Sequence, residues 1–465
     1  MAKAIELAVV GHTNAGKTSL LRTLTRRIDF GEISARPGTT RDVNAIPLTM
    51  DGVDVIRFLD TPGLEDGPAL LEHLNSMDPS FTNPNKVDAF LMGPQSRGDF
   101  EQEAKVLRCM KDVDAALLVI DSRETPLPKF SNEIEILKYA AKPILPVLNY
   151  AGNPDSKERE WLSLFAIHGL HARVRFQTVA PMHGAEKNLY SDLGGLLPDR
   201  RSDLQDLIEY LALERLDRHA SGLRIVSDVI LRLASYRQIL DAKIMSDEVA
   251  KAKSIRSFRA EVSKRSRRGL ELLLELHGFA PKSAETAALP ELTERWDSDL
   301  YNSELLKHAG KRMGTGAIVG AIVGLGADAA LAGVSMGAGV TGGATLGAFL
   351  SQGRVGEKLV NKIRGRGELS LGDDNLLLLA GQHLSMLIAL ENRGHADQII
   401  LRDVTPIGFP NEVAKTFLDV VESARDCPEW ADSKELGSRQ RKKLDSENER
   451  LCTVFRLLPI TRLNP

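Results

Sequence analysis

The stretch AIELAVVGHTNAGKTSLLRTL, residues 4–24, limits what this chain can fold into more than any other. It runs from a continuous apolar segment, through a turn rich in small residues, into an amphipathic segment of helical period. A strand buried on both faces, followed at once by a helix, belongs to a doubly wound, mostly parallel α/β sheet. Within the turn, Gly11 to Thr18 spell G-x-x-x-x-G-K-[ST], so the expected fold is that of a P-loop nucleoside triphosphatase. Gly11 and Gly16 let the main chain bend until the N–H groups of His12, Thr13, Asn14, Ala15 and Gly16 face inward. The new helix, starting near Lys17, Thr18 and Ser19, adds its positive end. Lys17 is expected to reach the β- and γ-phosphates, and the Thr18 hydroxyl to meet Mg²⁺.

The next segment, ISARPGTTRDVNAIPLTMDGVDVIRFLDTPGLED, contains two apolar runs joined by Asp51-Gly52, a strong hairpin signal. The second run ends at Asp60, where a carboxylate can hold Mg²⁺, and Thr40 in PGTTRD is the hydroxyl best placed to complete the metal shell. Gly63 lets the backbone approach a γ-phosphate, and its N–H would report whether that phosphate is present. Lys17, Thr40, Asp60 and Gly63 are therefore the residues expected to serve catalysis, with Thr18, Thr40 and Asp60 around the metal.

The order GHTNAGKTSL, PGTTRD, DTPG resembles the Era/TrmE group of bacterial GTPases over roughly residues 4–150. The resemblance implies a guanine nucleotide as ligand, GTP hydrolysis with Mg²⁺, and no glutamine after D-x-x-G; Leu64 stands there. It further implies that Asn14, with the loop around Thr40, binds K⁺ beside the phosphates. Glu65, Asp66 and Glu72 are each open to two readings, as water-positioning groups or as solvated acidic surface. The chain departs from the group after the apolar run PILPVLN. Where the group carries N-K-x-D, whose carboxylate accepts two hydrogen bonds from guanine, this chain has Asn149-Tyr150-Ala151-Gly152. Charge-assisted hydrogen bonds are worth about 1.5–3 kcal/mol each, so losing both bears directly on base selection. Asn149 and Tyr150 remain as expected nucleotide-side residues. Tyr150 is read either as a stacking platform for a purine or as plain packing, and Asp155 as a carboxylate a distorted loop brings in. TVAP, residues 178–181, is a poor match to the group's S-A-K segment. GPALLEHLNSMDPSFTNPNKVDAFLMGPQSRGD, residues 67–99, reads as a long irregular segment directly after the phosphate sensor, to be reordered by nucleotide state.

From Asp199 the punctuation changes to leucines and isoleucines three and four apart, the pattern of long helices. Between Lys251 and Arg268 eight lysines and arginines face only Glu261, a solvated helix face or an anion-binding one. From Met313 to Leu350 the only charged residue is Asp328, and glycines recur every four residues at Gly316, Gly320 and Gly324 and again at Gly339, Gly343 and Gly347. With a break near Gly333 this reads as a hairpin of two helices, either packed by its glycine stripe within a soluble domain or entering a bilayer. The expected organisation is residues 1–195 as the P-loop domain, 199–310 as a helical domain, 311–352 as the glycine-rich hairpin and 353–465 as a helical C-terminal region, all-α after residue 199. His383 and His395 are expected to be a core residue and a loop residue.

The net charge of −3 argues against a protein that coats nucleic acid through its overall field. RNA is not an expected partner, whereas inner-membrane lipid through residues 311–352, an unidentified protein and a nucleotide-dependent dimer are. Cys109, Cys427 and Cys452 have no metal-ligand spacing and suit a reducing compartment; the expected location is the cytoplasm, at or in the inner membrane. Two functions fit: a GTP-hydrolysing switch coupled to the helical half, or a membrane-remodelling or scaffold protein regulated by a purine-nucleotide domain of relaxed base specificity.

Overall fold

A computed structural model describes residues 3–26, 43–64, 66–177, 184–279, 334–336, 367–391, 406–432 and 436–461. Thr40, Glu65, His395, TVAP and all of the 311–352 segment except Val334–Met336 lie outside the described residues. The chain divides into two compact units, the first ending at Arg215 and the second beginning at Leu216.

The first unit is built on a six-stranded sheet: β1 Ile5–Val10, β2 Asn44–Met50, β3 Val53–Asp60, β4 Ala115–Asp121, β5 Ile144–Asn149 and β6 Val174–Phe176, in the order β2-β3-β1-β4-β5-β6. Only β2 runs antiparallel to its neighbour. It pairs with β3 through Asp51 (φ 51°) and Gly52 (φ 80°), the two left-handed residues that a tight hairpin of this twist requires. Pro47 is tolerated in β2 because that strand lies at the sheet edge.

Helices cover both faces. Alternation along β1 sends Ile5, Leu7 and Val9 to one side and Ala8 and Val10 to the other. The first face packs against α1 (Lys17–Thr25), α7 (Ala185–Leu196) and the start of α8 (Arg201–Ser235). The second packs against α4 (Glu101–Asp112), α5 (Pro128–Lys138) and α6 (Glu158–Ile167), with Trp161 and Phe165 fully buried.

Residues 67–99, expected to be irregular, are instead mostly helical. They form α2 (Gly67–Ser76), α3 (Asn83–Met92) and a 3-10 turn, Pro94–Arg97. Leu70, Leu74, Val87 and Phe90 pack with Ala104, Leu107, Ile136 and Tyr139 into a separate small core. Burying four such aliphatic and aromatic side chains is worth roughly 1.5–3 kcal/mol each, enough to hold two helices of ten residues that would not persist alone.

The second unit is mostly helical: the remainder of α8, the one-turn α9 (Ala242–Met245), α10 (Glu248–Leu276), α11 (Asp373–Glu391), α12 (Asn411–Arg425) and α13 (Ser438–Arg456). It also contains a small antiparallel sheet. The long helix expected from Asp199 stops at Ser235, and Arg237–Leu240 (β7) pairs with β9, Gly367–Leu371. Val334–Met336 (β8), next to the expected break at Gly333, pairs along the other edge of β9. α11 is buried around most of its circumference, as its mean hydropathy demands, and anchors the core with Phe258, Phe417, Trp430 and Phe455. His383 on α11 is fully buried as expected, with Nδ1 2.8 Å from the Leu379 carbonyl and Nε2 3.1 Å from that of Ser266. The basic face of α10 is substantially paired: Arg265 with Glu261 and Asp432, Arg268 with Glu271 and Glu275, Lys251 with Glu248. All three cysteines are buried and free, and burial pushes the Cys109 thiol up to about 12. Among the described residues no helix is long and apolar enough to cross a membrane.

Candidate functional site

The turn between β1 and α1 has the backbone its sequence requires. Gly11 (φ 139°), Asn14 (φ 68°) and Gly16 (φ 96°) adopt positive φ, and a Cβ on Gly16 would lie 2.4 Å from Asn149 Nδ2. Lys17 is buried under this arch and its ammonium donates to the carbonyls of Gly11 (2.8 Å) and His12 (3.1 Å). Burial lowers the Lys17 pKa, against the opposing charges of Asp60 and Glu133. Ala15 is buried and donates back to His12 O at 3.2 Å, while half-buried Ser19 occupies the first turn of α1.

Asp60, at the C-terminal end of β3, meets the loop. The Thr18 hydroxyl donates to Asp60 Oδ2 at 3.1 Å, and Thr61 Oγ1 donates to Val9 O at 2.9 Å, locking the strand end beside β1. Asp60 is 3% exposed and its Oδ1 has no hydrogen-bond partner; burial raises its pKa, with Lys17 and Thr18 opposing. A buried carboxylate oxygen without a donor, adjoining a threonine hydroxyl, is a donor set suited to a hard divalent cation, so these residues fit Mg²⁺. Gly63 closes the other side: a Cβ there would lie 2.6 Å from Thr13 Oγ1, so only glycine permits this approach to the loop. Leu64 then enters the core, and Asp66 caps α2 by accepting from Ala69 N at 3.2 Å. The Asp66 N–H itself donates to buried Glu103 at 2.8 Å, so Asp66 is a structural cap; Glu72 lies exposed on α2.

Two features were not legible as motifs. The side chain of His12, expected to contribute only its N–H, is clamped: Lys129 Nζ donates to Nε2 at 3.0 Å, which makes Nδ1 the protonated nitrogen, and Nδ1 donates to buried Glu133 at 2.8 Å. Phe130 packs edge-on against the same ring. The only sequence hint was Pro128, a helix-start signal, and the helix it opens, α5, follows β4.

The second feature is the link from β5 to the loop. Asn149 is fully buried; its Nδ2 donates to Ala15 O at 3.1 Å and its Oδ1 accepts from Tyr150 N at 3.0 Å. Asn149 thus braces the phosphate loop rather than facing outward. Tyr150 (φ 59°) turns the chain, and the Arg123 guanidinium lies 3.8 Å over its ring, itself held by both oxygens of Asp121. Asp155 is not brought to Gly152. It is exposed, receives no role from the loop beyond an Asx turn at Asn153, and lines a cleft with Arg123, Ser156, Lys157 and Arg159.

This loop, its buried lysine and the threonine–aspartate pair agree with comparisons to known proteins. A family model described as "50S ribosome-binding GTPase" matches residues 6–150. The tRNA modification GTPase MnmE of Chelativorans sp. (strain BNC1) is 36% identical over 87 residues, 19% of this chain and 19% of the relative. GTPase Der of Legionella pneumophila (strain Lens) is 23% identical over 224 residues, 46% of this chain and 40% of the relative. The chain therefore spans less than half the length of these curated relatives. Among solved structures, Era in complex with MgGDPNP and a segment of 16S ribosomal RNA shares 18% identity at a TM-score of 0.30, over 59% of this chain and 90% of that one. The N-terminal unit is a P-loop GTPase domain. The remaining sequence matches a different model, described as "Domain of unknown function (DUF3482)", across residues 164–452, more than half of the chain, and it is to this family that the chain belongs.

Proposed function

We propose that the chain is a switch that binds and hydrolyses GTP and passes its nucleotide state to the helical half. The observation that carries this reading is the contact of Gly63 with Thr13, followed within three residues by the capped start of α2. A γ-phosphate held by Lys17 and the loop N–H groups would meet the Gly63 N–H, and any displacement of Gly63 would move α2 and α3 with it. Thr18 and Asp60 would hold Mg²⁺, with Thr40 as the third group; bound Mg²⁺ supplies positive charge to the phosphate oxygens. Exposed Asn14 would hold K⁺ beside them, and its replacement by alanine is expected to abolish any stimulation of hydrolysis by K⁺ over Na⁺.

Hydrogen exchange followed by mass spectrometry tests the coupling. Residues 67–92 should exchange more slowly with a non-hydrolysable GTP analogue than with GDP, and Gly63→Ala should erase that difference while GDP binding persists. Equal exchange in both states of the wild-type protein would remove the switch from this segment.

The second reading, contact of residues 311–352 with lipid, is favoured by their single charge, Asp328, among residues 313–350. Liposome flotation of the full chain and of a form lacking 311–352 separates the two. Flotation that depends on the segment supports membrane contact; its absence with anionic vesicles ends that reading.

A further inference from the structure

We propose that Gln177 reads the nucleotide base in place of the carboxylate that this chain lacks. The inference rests on the GTP-binding reading above and names the residue that sets its base selectivity.

The argument begins with where the base must lie. Asn149 ties the end of β5 to the P-loop through Ala15, and the Tyr150 hydroxyl lies 4.0 Å from where a Gly16 Cβ would sit. A nucleotide whose phosphates occupy the loop thus extends its ribose and base toward residues 150–152. Strand β6 runs parallel to β5 with Phe176 opposite Asn149, so Gln177 is the first residue past that strand, at this same edge. Its side chain turns toward Gly152: a Cβ there would lie 3.3 Å from Gln177 Oε1. Gly152 is three residues after Asn149, the place where a base-reading aspartate is expected. The space which that side chain would take adjoins a half-buried carboxamide.

The chemistry of the substitution has a defined consequence. A carboxylate offers two acceptors and meets both donors on guanine, N1–H and the exocyclic 2-amine. A carboxamide offers a single acceptor oxygen, and its nitrogen can only donate. With Oε1 accepting from N1–H, the Gln177 amide donor faces either O6, which it can satisfy, or the 2-amine, which it cannot. In neither arrangement does the 2-amine gain an acceptor of its own from Gln177; at most it shares Oε1 with N1–H. The base therefore contributes mainly through N1–H and O6, both of which hypoxanthine also carries, and the amine that separates GTP from ITP is read weakly.

Competition titrations of fluorescent GDP with GTP and ITP on the full chain test this. The wild-type protein should bind the two within about threefold of each other. Gln177→Glu, which restores two acceptors, should favour GTP over ITP by about tenfold or more, the scale of one charge-assisted hydrogen bond. Gln177→Ala should weaken both by a similar factor, and adding Gly152→Asp to it should bring back the preference for GTP. A wild-type preference for GTP of tenfold or more, or a Gln177→Glu protein that binds with unchanged selectivity, overturns the proposal. Lys17→Ala keeps the two levels distinct: if it binds GTP and ITP as the wild type does, the nucleotide site itself is misplaced, and Gln177 falls with it.

Discussion

The two units differ in where backbone strain falls and in what their buried polar groups face. Every non-glycine residue with positive φ among those described, Asn14, Arg26, Asp51, Ala141 and Tyr150, lies in the N-terminal unit, and two of them border the phosphate loop. There the polar side chains are aimed: Asn149 at Ala15, Thr18 at Asp60, Lys129 at His12. Among its described residues the helical unit has no non-glycine residue at positive φ, and it leaves the carboxamide of fully buried Gln382 and the Oδ1 of Asn448 without hydrogen bonds, as the first unit leaves Gln102 Oε1 and the Tyr190 hydroxyl. Strain held by specific partners at a sheet edge marks a ligand site. Unpaired amides inside a helical core mark packing that tolerates imperfection.

The sharpest way to break this contrast is at its centre. Lys17→Ala removes the cation under the arch and should lower GTP affinity about 10²–10⁴-fold by isothermal titration, the scale of two charge-assisted hydrogen bonds. Unchanged affinity would mean that the arch does not hold phosphate. Next come two carboxamides whose removal should have opposite signs. Asn149→Ala strands the Ala15 carbonyl and the Tyr150 N–H, at about 1–3 kcal/mol each, so the melting temperature should drop by several degrees and GTP affinity roughly tenfold. Gln382→Met replaces an unsatisfied amide by a side chain of similar volume and should stabilise by about 1–2 kcal/mol, with GTP affinity untouched. If Gln382→Met destabilises instead, the helical core is not the tolerant partner in this comparison.

The smallest effect is a pH dependence. Burial holds the Asp60 carboxyl above its ordinary range, so its ionised form costs folding stability above that pKa. The cost disappears at low pH, where the group is protonated in both folded and unfolded states. Melting curves of nucleotide-free protein should therefore place Asp60→Asn above wild type at pH 8, with the gap closing toward pH 4. A gap that widens on acidification would reverse the assigned sign.

The sheet, its hairpin and the phosphate loop could be read from residues because each has a local cause: apolar runs, Asp51-Gly52, and glycines that must bend. Residues 67–99 misled for an equally local reason. Gly67-Pro68 and Asn83-Pro84 look like turn pairs, yet proline in the first turn of a helix is a start signal, and both helices begin there. The β7-β9-β8 sheet was hidden because its strands are three to five residues long and more than ninety residues separate Leu240 from Val334. Lys129, Glu133 and Gln177 were illegible because their roles exist only once α5 and β6 are placed against the loop. No spacing within the chain encodes that juxtaposition.

The capped start of α2 has a bearing on how this chain can change over time. Leu64 is anchored in one core and Asp66 is clamped to Glu103, so two fixed points lie within two residues of each other at this joint. Insertions elsewhere in the first unit's surface would be absorbed as longer loops, but one residue added here would leave both halves folded and disconnected. Lineages that lose responsiveness to nucleotide without losing the protein should carry their first lesions at this joint.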